Sequence, residues 1–379
     1  MWTKMGKSRV CSELGRFAKR EAVLCIAFFC AVVSMLFVPP DRAYLGYLDI
    51  RVLALLFCLM MVVAGLEETG LFQVLAQRLL VGRKRFRILS LALVLLPFFS
   101  SMLITNDVAL LTFVPFAILM LELIGRQERL AYLVVLQTVA ANLGSMATPV
   151  GNPQNLFLCS KFEIPMGDFF AVMLPLTAVS LLGLCAAALC VSGEAIEVQF
   201  CQARSIENKG LLWLMLVLFG LSLLSVFRVL PYGVLFAVVV LSALFCTRPL
   251  FLRVDYGLLA TFVCFFLFSG NLGRIPAVRE LLTGLLGSNT AMTAGLASQV
   301  ISNVPAAVLL SGFTEDWRGL LVGTDVGGLG TPIASLASLI SLKLYLRSQG
   351  ARPGSYLGLF LVVNGVGILL MGVAAWLFR

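Results

Sequence analysis

Apolar stretches long enough to cross a lipid bilayer follow one another along almost the whole chain. The runs 22–38, 46–66, 166–191 and 356–378 are the clearest, and a helix needs about 20 apolar residues to cross the hydrocarbon core. Only 12% of the 379 residues are charged, whereas soluble domains contain about 25%. Because helices satisfy their own backbone hydrogen bonds in lipid, we predict an all-α polytopic membrane protein with about nine spanning helices.

The basic residues indicate how the chain is inserted in the membrane. If the N-terminus faces the cytoplasm, most of the 28 Lys and Arg residues fall on the cytoplasmic side, as the positive-inside rule requires. We therefore expect a cytoplasmic basic segment 1–21, an inner-membrane location and a C-terminus outside. The same loops account for the net charge of +9, so we expect the lipid bilayer as a partner and no nucleic acid.

The chain contains no histidine, which removes several classes of enzyme. Ser-His-Asp catalysis and the common histidine-containing zinc sites both need this residue. Glu67-Glu68 resembles the start of the EExxxR motif of intramembrane glutamate proteases, but Phe72 stands where the arginine should be. The ten cysteines form no CxxC pair and suit buried apolar positions. We expect no catalytic residue, no cofactor and no metal, with sodium as the one candidate ion.

Three motifs occur twice, in the same order and beside the same kind of apolar run. The pairs are Leu48-Asp49 with Val254-Asp255, Thr105-Asn106-Asp107 with Ser302-Asn303-Val304, and the segment 142–149 with 325–332. They define two related halves, 22–191 and 211–378, joined by a cytoplasmic linker, 192–210. Because the extra helix 211–227 turns the second half over, we predict an inverted repeat, an arrangement that marks a transport site where the halves meet.

Each half is expected to contain one re-entrant hairpin. In the second half, about ten residues separate Asn303 from the charged residues Glu315 and Asp316, and a helix of that length rises ~15 Å, half of the hydrocarbon core. Run 288–313 should therefore enter the membrane from the outer side and return to it. Run 88–121 is predicted by analogy to be the matching hairpin on the cytoplasmic side.

Proline and glycine interrupt the apolar run that follows each hairpin. Runs 130–158 and 319–342 each contain a Thr-Pro pair after a glycine, and proline breaks a helix interior because it lacks an N–H donor. Each run should therefore form two half-helices around a polar break. The carbonyl groups of a break suit a small cation, while the N-terminus of the next half-helix attracts an anion. Two such clusters predict two sodium-linked or proton-linked sites flanking one substrate.

These motifs resemble those of the ion-transporter superfamily, which includes arsenite permeases, citrate transporters and divalent anion/sodium symporters. Segment 105–107 is similar to the hairpin motif of the arsenite branch, Ser302-Asn303 to the Ser-Asn-Thr motif of the dicarboxylate branch, and 151–155 to the G-[NT]-P-x-N loop of both. The resemblance implies an inverted-repeat fold with two hairpins and two broken helices, an elevator-like movement and a homodimer. The sequence departs from Ser-Asn-Thr at Asp107 and Val304.

The residues and the resemblance together define two sets of candidate site residues. We expect the substrate to contact polar residues of the two breaks, namely Thr148, Asn152, Gln154, Asn155, Thr331 and Ser335. We expect the coupling ion to contact the hairpin tips and the ends of the first half-helices, namely Thr105, Asn106, Asp107, Asn142, Gly144, Ser302, Asn303, Asp325 and Gly327.

The function predicted from these features is secondary active transport of a small anion or oxyanion, a carboxylate or an arsenite-like solute, coupled to sodium or protons. An acid at membrane depth costs ~2.5–3.5 kcal/mol on insertion scales and usually marks a functional pathway. Asp107 and Asp325 therefore also favour an alternative, a cation/proton antiporter in which these two residues carry the ions. A purely structural role would not explain polar breaks at matching places in both halves.

Overall fold

The computed structural model describes residues 21–80, 82–191, 193–198, 206 and 208–378. Most of the predicted basic segment 1–21 and part of the linker 192–210 lie outside the described residues. The elements up to the linker are α1 (Ala22–Phe37), α2 (Tyr44–Tyr47), α3 (Ile50–Glu68), α4 (Leu71–Leu80), β1 (Gly82–Arg85), α5 (Phe86–Ser100), α6 (Asn106–Leu123), a 3₁₀ turn (Gln127–Arg129), α7 (Leu130–Ser145), α8 (Pro153–Lys161) and α9 (Met166–Leu189).

The linker and the second half contribute the remaining elements. These are β2 (Ala195–Val198), α10 (Lys209–Val226), α11 (Tyr232–Cys246), a 3₁₀ helix (Arg248–Arg253), α12 (Tyr256–Gly273), α13 (Pro276–Ser288), α14 (Thr290–Ile301), α15 (Asn303–Leu310), α16 (Trp317–Gly327), α17 (Leu336–Leu346) and α18 (Pro353–Leu377).

Long apolar helices dominate the structure. Among the described residues, six helices are long and apolar enough to cross a membrane: α3, α6, α9, α10, α12 and α18. Four shorter apolar helices accompany them: α1, α5, α11 and α17. The predicted helical, multi-pass membrane fold is confirmed, while the number of crossings and the inverted arrangement stay predictions.

The repeated aspartates begin corresponding helices. Asp49 Oδ1 accepts a hydrogen bond from the Val52 backbone N–H over 3.0 Å at the start of α3. Asp255 Oδ1 accepts from the Leu258 N–H over 2.8 Å at the start of α12. A carboxylate at this position satisfies one of the free N–H groups of a helix N-terminus. The recurrence of these aspartates therefore reflects two equivalent helix starts.

One two-stranded sheet accompanies the helices among the described residues. Strand β1 pairs antiparallel with β2, and Gly82 lies opposite Val198 in the register. The sequence of 67–87 indicates a surface helix with a basic face toward the lipid headgroups, but α4 ends at Leu80 and the chain continues as β1. The two-stranded sheet is therefore an exception to the predicted all-α fold. It holds the linker against the start of α5, the first helix of the first hairpin.

The helices pack as two groups, to which both halves of the sequence contribute. The flanking group consists of α1, α3, α10, α11 and α12, and the broken-helix group consists of α5–α9 and α14–α18. The short helices α4 and α13 connect one group to the other in each half, since each contacts the helix before it and the helix after it. The groups also touch where α8 packs on α3 and α15 packs on α12.

Candidate functional site

Helical structure is interrupted at the two Thr-Pro sequences. Helix α7 ends at Ser145 and α8 begins at Pro153, while α16 ends at Gly327 and α17 begins at Leu336. We call segment 146–152 the first break and segment 328–335 the second break. The first is buried except at Thr148, which is half-buried, whereas the second is partly open around Ile333. Both therefore place non-helical backbone inside the broken-helix group.

The tip of each hairpin is fixed to the break of its own half by the same hydrogen bond. The Asn106 N–H donates to the Gly151 carbonyl oxygen over 3.2 Å, and the Asn303 N–H donates to the Ala334 carbonyl oxygen over 2.9 Å. Ser302, between α14 and α15, has a positive φ of 72°, a conformation that is uncommon for residues other than glycine. The two breaks are therefore held against the hairpin tips in an equivalent way.

A second contact recurs in both halves. Thr148 Oγ1 donates to the Met102 carbonyl oxygen over 2.5 Å, and Thr331 Oγ1 donates to the Gln299 carbonyl oxygen over 3.2 Å. Met102 and Gln299 each stand four positions before the asparagine of their hairpin tip. Both threonine hydroxyls, which were expected to contact substrate, use their hydrogen to join a break to the first arm of its hairpin.

Gly144 and Gly327 allow helices to approach closely. A Cβ atom at Gly144 would overlap the Phe98 carbonyl oxygen, so α7 packs directly on α5. A Cβ atom at Gly327 would lie 2.8 Å from the Gly295 Cα atom, so α16 packs directly on α14. The structure thus gives a packing role to two glycines that were expected to contact the coupling ion.

Asn142 connects one half of the chain to the other. Its Oδ1 accepts hydrogen bonds from Asn106 Nδ2 over 3.0 Å and from Ser335 Oγ over 3.1 Å. Its Nδ2 donates to Ser338 Oγ over 3.4 Å and lies 3.5 Å from the Gly328 carbonyl oxygen. The side chain is only 5% exposed. One buried amide therefore holds together the first hairpin, the second break and α17.

Asp325 makes the reciprocal connection from the second half. Its Oδ1 accepts hydrogen bonds from Asn152 Nδ2 over 3.0 Å and from Gln154 Nε2 over 3.1 Å. Asn142 and Asp325 stand at equivalent positions of the repeated motif, and each bonds to the start of the second half-helix of the opposite half. Because Asp325 is only 2% exposed, these bonds compensate part of the cost of burying its carboxylate.

Three buried side-chain oxygen atoms of Asp325 and the start of α8 have no hydrogen-bond donor among the described residues. They are Asp325 Oδ2, Gln154 Oε1 and Asn155 Oδ1, and we call them the acceptor cluster. An unsatisfied buried acceptor costs about 1–3 kcal/mol. Within the described part of the chain, no ion pair involves Asp325. The arrangement is therefore suited to a cation, to a proton or to a solute that brings its own hydroxyl hydrogens.

Asp107 and Thr105 lie beside this network without joining it. The Asp107 N–H donates to Asn106 Oδ1 over 3.0 Å, but Asp107 Oδ1 is buried without a hydrogen-bond partner among the described residues. Thr105 precedes α6 and its side chain caps no N–H of that helix. The structure thus brings Asn106, Asn142 and Asp325 into contact with the breaks and leaves Asp107 and Thr105 at the edge.

Gln299 and Ser338 are contacts that the sequence interpretation missed. Gln299 Nε2 donates to the Gly327 carbonyl oxygen over 2.7 Å and to the Leu329 carbonyl oxygen over 2.9 Å, so its side chain occupies the second break. The sequence feature that could have indicated a role for Gln299 is its side-chain amide, which stands four positions before Asn303 in an otherwise weakly polar hairpin arm. Ser338 lies one turn into α17, at the position that corresponds to Asn155 of α8.

Comparisons with known proteins show what this chain is similar to. Residues 13–314 match the model of the citrate transporter family. An uncharacterized transporter of Methanocaldococcus jannaschii is 32% identical over 82% of this chain and 84% of its own length. The inner membrane protein YbiR of Escherichia coli is 30% identical over 81% of this chain and 83% of its own length. The silicon efflux transporter LSI3 of Oryza sativa subsp. japonica is 35% identical over 41% of this chain and 30% of its own length.

Proposed function

Because this chain belongs to the citrate transporter family, we propose that it is a secondary active transporter of a small anion or oxyanion, coupled to sodium or protons. Family membership confirms the resemblance to the ion-transporter superfamily. The observation that carries the proposal is the acceptor cluster, a set of unpaired buried oxygens at the place where the two halves are cross-linked. Unpaired buried polar atoms need an explanation, and we propose that at this place the explanation is a bound ligand.

The recurring hydrogen bonds support an inverted repeat with the site at its centre. The contacts of Asn106 and Asn303 with the breaks are equivalent, as are the contacts of Thr148 and Thr331. Discontinuous helices in matching positions of two halves are typical of transport sites near the bilayer midplane. We propose an inner-membrane location with a cytoplasmic N-terminus and an external C-terminus, and a homodimer as the assembly.

The chemistry of the site favours one kind of substrate. The side-chain amides of Asn152 and Gln154 already donate hydrogen bonds to Asp325. In this state they do not offer those hydrogen bonds to a substrate. A fully ionised carboxylate would place a second negative charge beside Asp325 in a low-dielectric site, which is costly. A protonated oxyacid would instead donate its hydroxyl hydrogens to the acceptor cluster. We therefore favour an arsenite-like or silicic-acid-like solute over a citrate-like one, and the silicon efflux relative is consistent with this choice.

Cation/proton antiport remains the second candidate. The acceptor cluster would also suit an ion alone, since carboxylate and amide oxygens are ligands for hard cations. The carboxylates of Asp107 and Asp325 share no hydrogen bond among the described residues, so the two acids would form separate sites. This arrangement fits a two-acid antiporter less well than it fits a single coupled site at Asp325.

Counterflow in proteoliposomes tests the proposal. Vesicles would be loaded with unlabelled arsenite, silicic acid (followed as its germanium analogue), citrate or phosphate, and uptake of the labelled solute would be followed in sodium, in potassium and at several pH values. We expect that vesicles containing the protein exchange an oxyacid, that vesicles without the protein do not, and that the exchange occurs without net ion movement. A change of internal pH driven by a cation gradient, with no exchange of any solute, would instead support antiport.

A further inference from the structure

The side chain of Gln299 fills the second break. Its Nε2 lies 2.7 Å from the Gly327 carbonyl oxygen, 2.9 Å from that of Leu329 and 3.3 Å from that of Gly295. Its Oε1 accepts a hydrogen bond from the Thr331 N–H over 2.9 Å. Three acceptors on one side and a donor on the other fix the orientation of the amide.

The first break is held differently. The Asn155 Nδ2 atom lies 3.4 and 3.5 Å from two carbonyl oxygens of this break, which is longer than the usual hydrogen-bond range. The threonine contacts of the two breaks identify Met102 as the counterpart of Gln299, since Thr148 and Thr331 donate to the carbonyl oxygens of these two residues. A methionine side chain has no N–H and its thioether is only a weak acceptor. A side-chain amide at short hydrogen-bond distance therefore lies among the carbonyl oxygens of the second break, whereas the amide beside the first break is held loosely.

Three carbonyl oxygens that converge on one positive centre form the kind of environment that holds a small cation. The NH₂ group of an amide carries partial positive charge, and in Gln299 it is tethered to the protein. It therefore satisfies these carbonyl oxygens permanently and does not exchange with solution.

We propose that the Gln299 amide takes the place of a cation in the second break, so that the chain can bind a coupling cation only on the side of the acceptor cluster. The inference rests on the proposed transport function and replaces the expectation of two ion sites flanking the substrate with one. Coupling would then follow a single-site dependence on cation concentration.

Purified protein in detergent, with sodium as the probe, tests this assignment. Thermal unfolding would be measured at constant ionic strength while choline is replaced by sodium, for the native chain, for Gln299→Met and for Gln137→Met. Methionine keeps the volume of the side chain and is the residue of the equivalent position in the first half. Gln137 is a matched control because its buried amide donates to the Leu93 and Phe113 carbonyl oxygens over 2.9 and 3.3 Å, away from either break.

We expect both variants to unfold at a lower temperature than the native chain in choline. In sodium, Gln299→Met should show a larger saturable gain in unfolding temperature than the native chain and Gln137→Met, because it would have a second cation site in addition to the one at the acceptor cluster. A purely structural role for Gln299 would give both variants the native response to sodium, which would overturn the proposal. If Gln299→Met cannot be purified in choline, recovery by purification in sodium supports the proposal and failure in both salts contradicts it.

The outcome is independent of whether a transported solute has been found. Counterflow without any exchange would refute the proposed transport function but would leave the gain of sodium binding in Gln299→Met unaffected. Conversely, an identical sodium response of all three proteins would overturn the role of Gln299 while oxyacid exchange could still be observed.

Discussion

The side-chain amide of Asn152 donates to Oδ1 of Asp325 over 3.0 Å, although the two residues lie 173 positions apart in the sequence. This bond joins the start of α8 to the end of α16, and so joins one half of the chain to the other at the candidate site. It uses only one of the two carboxylate oxygens. Asp325 Oδ2 has no donor among the described residues and is available to an ion, a proton or a hydroxylated solute.

Replacing Asp325 by Asn should abolish coupling without unfolding the protein. The amide oxygen can still accept from Asn152, but an N–H group replaces the free oxygen and the negative charge is lost. A hydrogen bond to a charged group contributes about 1.5–3 kcal/mol, so we expect counterflow to fall by about 10- to 100-fold. Residual transport should no longer depend on pH, because an amide does not titrate. Transport rates of Asp325→Asn and of the native chain, measured between pH 5 and 8, check this prediction.

Asp168→Asn is the control for that experiment. Asp168 is an exposed acid in the first turn of α9 and lies outside the site. It should transport like the native chain. Native rates and native pH dependence in Asp325→Asn would refute a coupling role for Asp325.

Truncating Asn142 to Ala should destabilise the fold. Asn106 Nδ2 and Ser335 Oγ would lose the oxygen to which they donate, and each buried unpaired group costs about 1–3 kcal/mol. We expect the free energy of unfolding to fall by about 2–4 kcal/mol in denaturant titrations in detergent. Asn364→Ala is the matched control, because the buried Asn364 amide donates only to Phe360 of its own helix among the described residues. An equal loss of unfolding free energy in both variants would contradict the role of Asn142 in connecting the two halves of the chain.

A methyl group at Gly144 should separate α7 from α5. The added Cβ atom would overlap the Phe98 carbonyl oxygen, which is backbone and cannot rotate away. Overpacking of this kind typically costs about 1–3 kcal/mol, so Gly144→Ala should unfold at a lower temperature. Gly220→Ala, in α10, has open space around its Cβ position and should unfold at the native temperature or slightly above it. Equal unfolding temperatures for the two variants would rule out the close approach of α7 and α5.

Glu163 and Arg228 should produce a pH-dependent contribution to stability. Arg228 Nη1 lies 2.6 Å from Glu163 Oε1, and Arg228 Nη2 donates to the Ser160 carbonyl oxygen over 3.1 Å. The hydrogen bond from Arg228 holds the pKa of Glu163 below its ordinary value of 4.5. A lowered pKa in the folded state gives stability that is present above the unfolded pKa and is lost as pH falls through the folded pKa.

Unfolding temperatures of the native chain and of Glu163→Gln, measured against pH, check this sign. The native chain should be the more stable of the two at neutral pH, and the difference should begin to shrink only as pH falls below the ordinary glutamate value and should then vanish. Curves that merge above that value would contradict the assignment. Because the pair joins the loop after α8 to the loop after α10, it also bridges the broken-helix group and the flanking group.

Local chemistry made part of this site predictable. Pro149 and Pro332 lack the N–H group that a helix interior uses, and each follows a glycine closely, so the two breaks could be placed from the sequence. Proline alone is not sufficient, since Pro97, Pro115 and Pro175 lie inside continuous helices. The apolar runs predict the long helices because hydropathy is a property of a short window. Tertiary pairing has no such local signal, and nothing in the sequence around Gln154 indicates a partner 171 positions away.

The same reasoning explains which elements were missed. Gln299 looked like one polar residue in a hairpin arm, because its partners belong to a break that folds back on it from the next helices. Strand β1 lies in the stretch whose sequence indicates a surface helix, because the strand with which it pairs is a four-residue segment of the distant linker. In both cases the structure depends on a contact between segments that are distant in the sequence, and the hydrophobic periodicity of a single segment does not indicate such a contact.

The separation of Asn152 from Asp325 also has a consequence for how the protein is made. A ribosome adds ~5–20 residues per second, so the carboxylate emerges on the order of ten to thirty seconds after the amide that it will bind. During that interval the side-chain amides of Asn142 and Asn152 lack the partners that the second half supplies in the finished protein. The hydrogen bonds between the two halves therefore form only after the late segments have been synthesised.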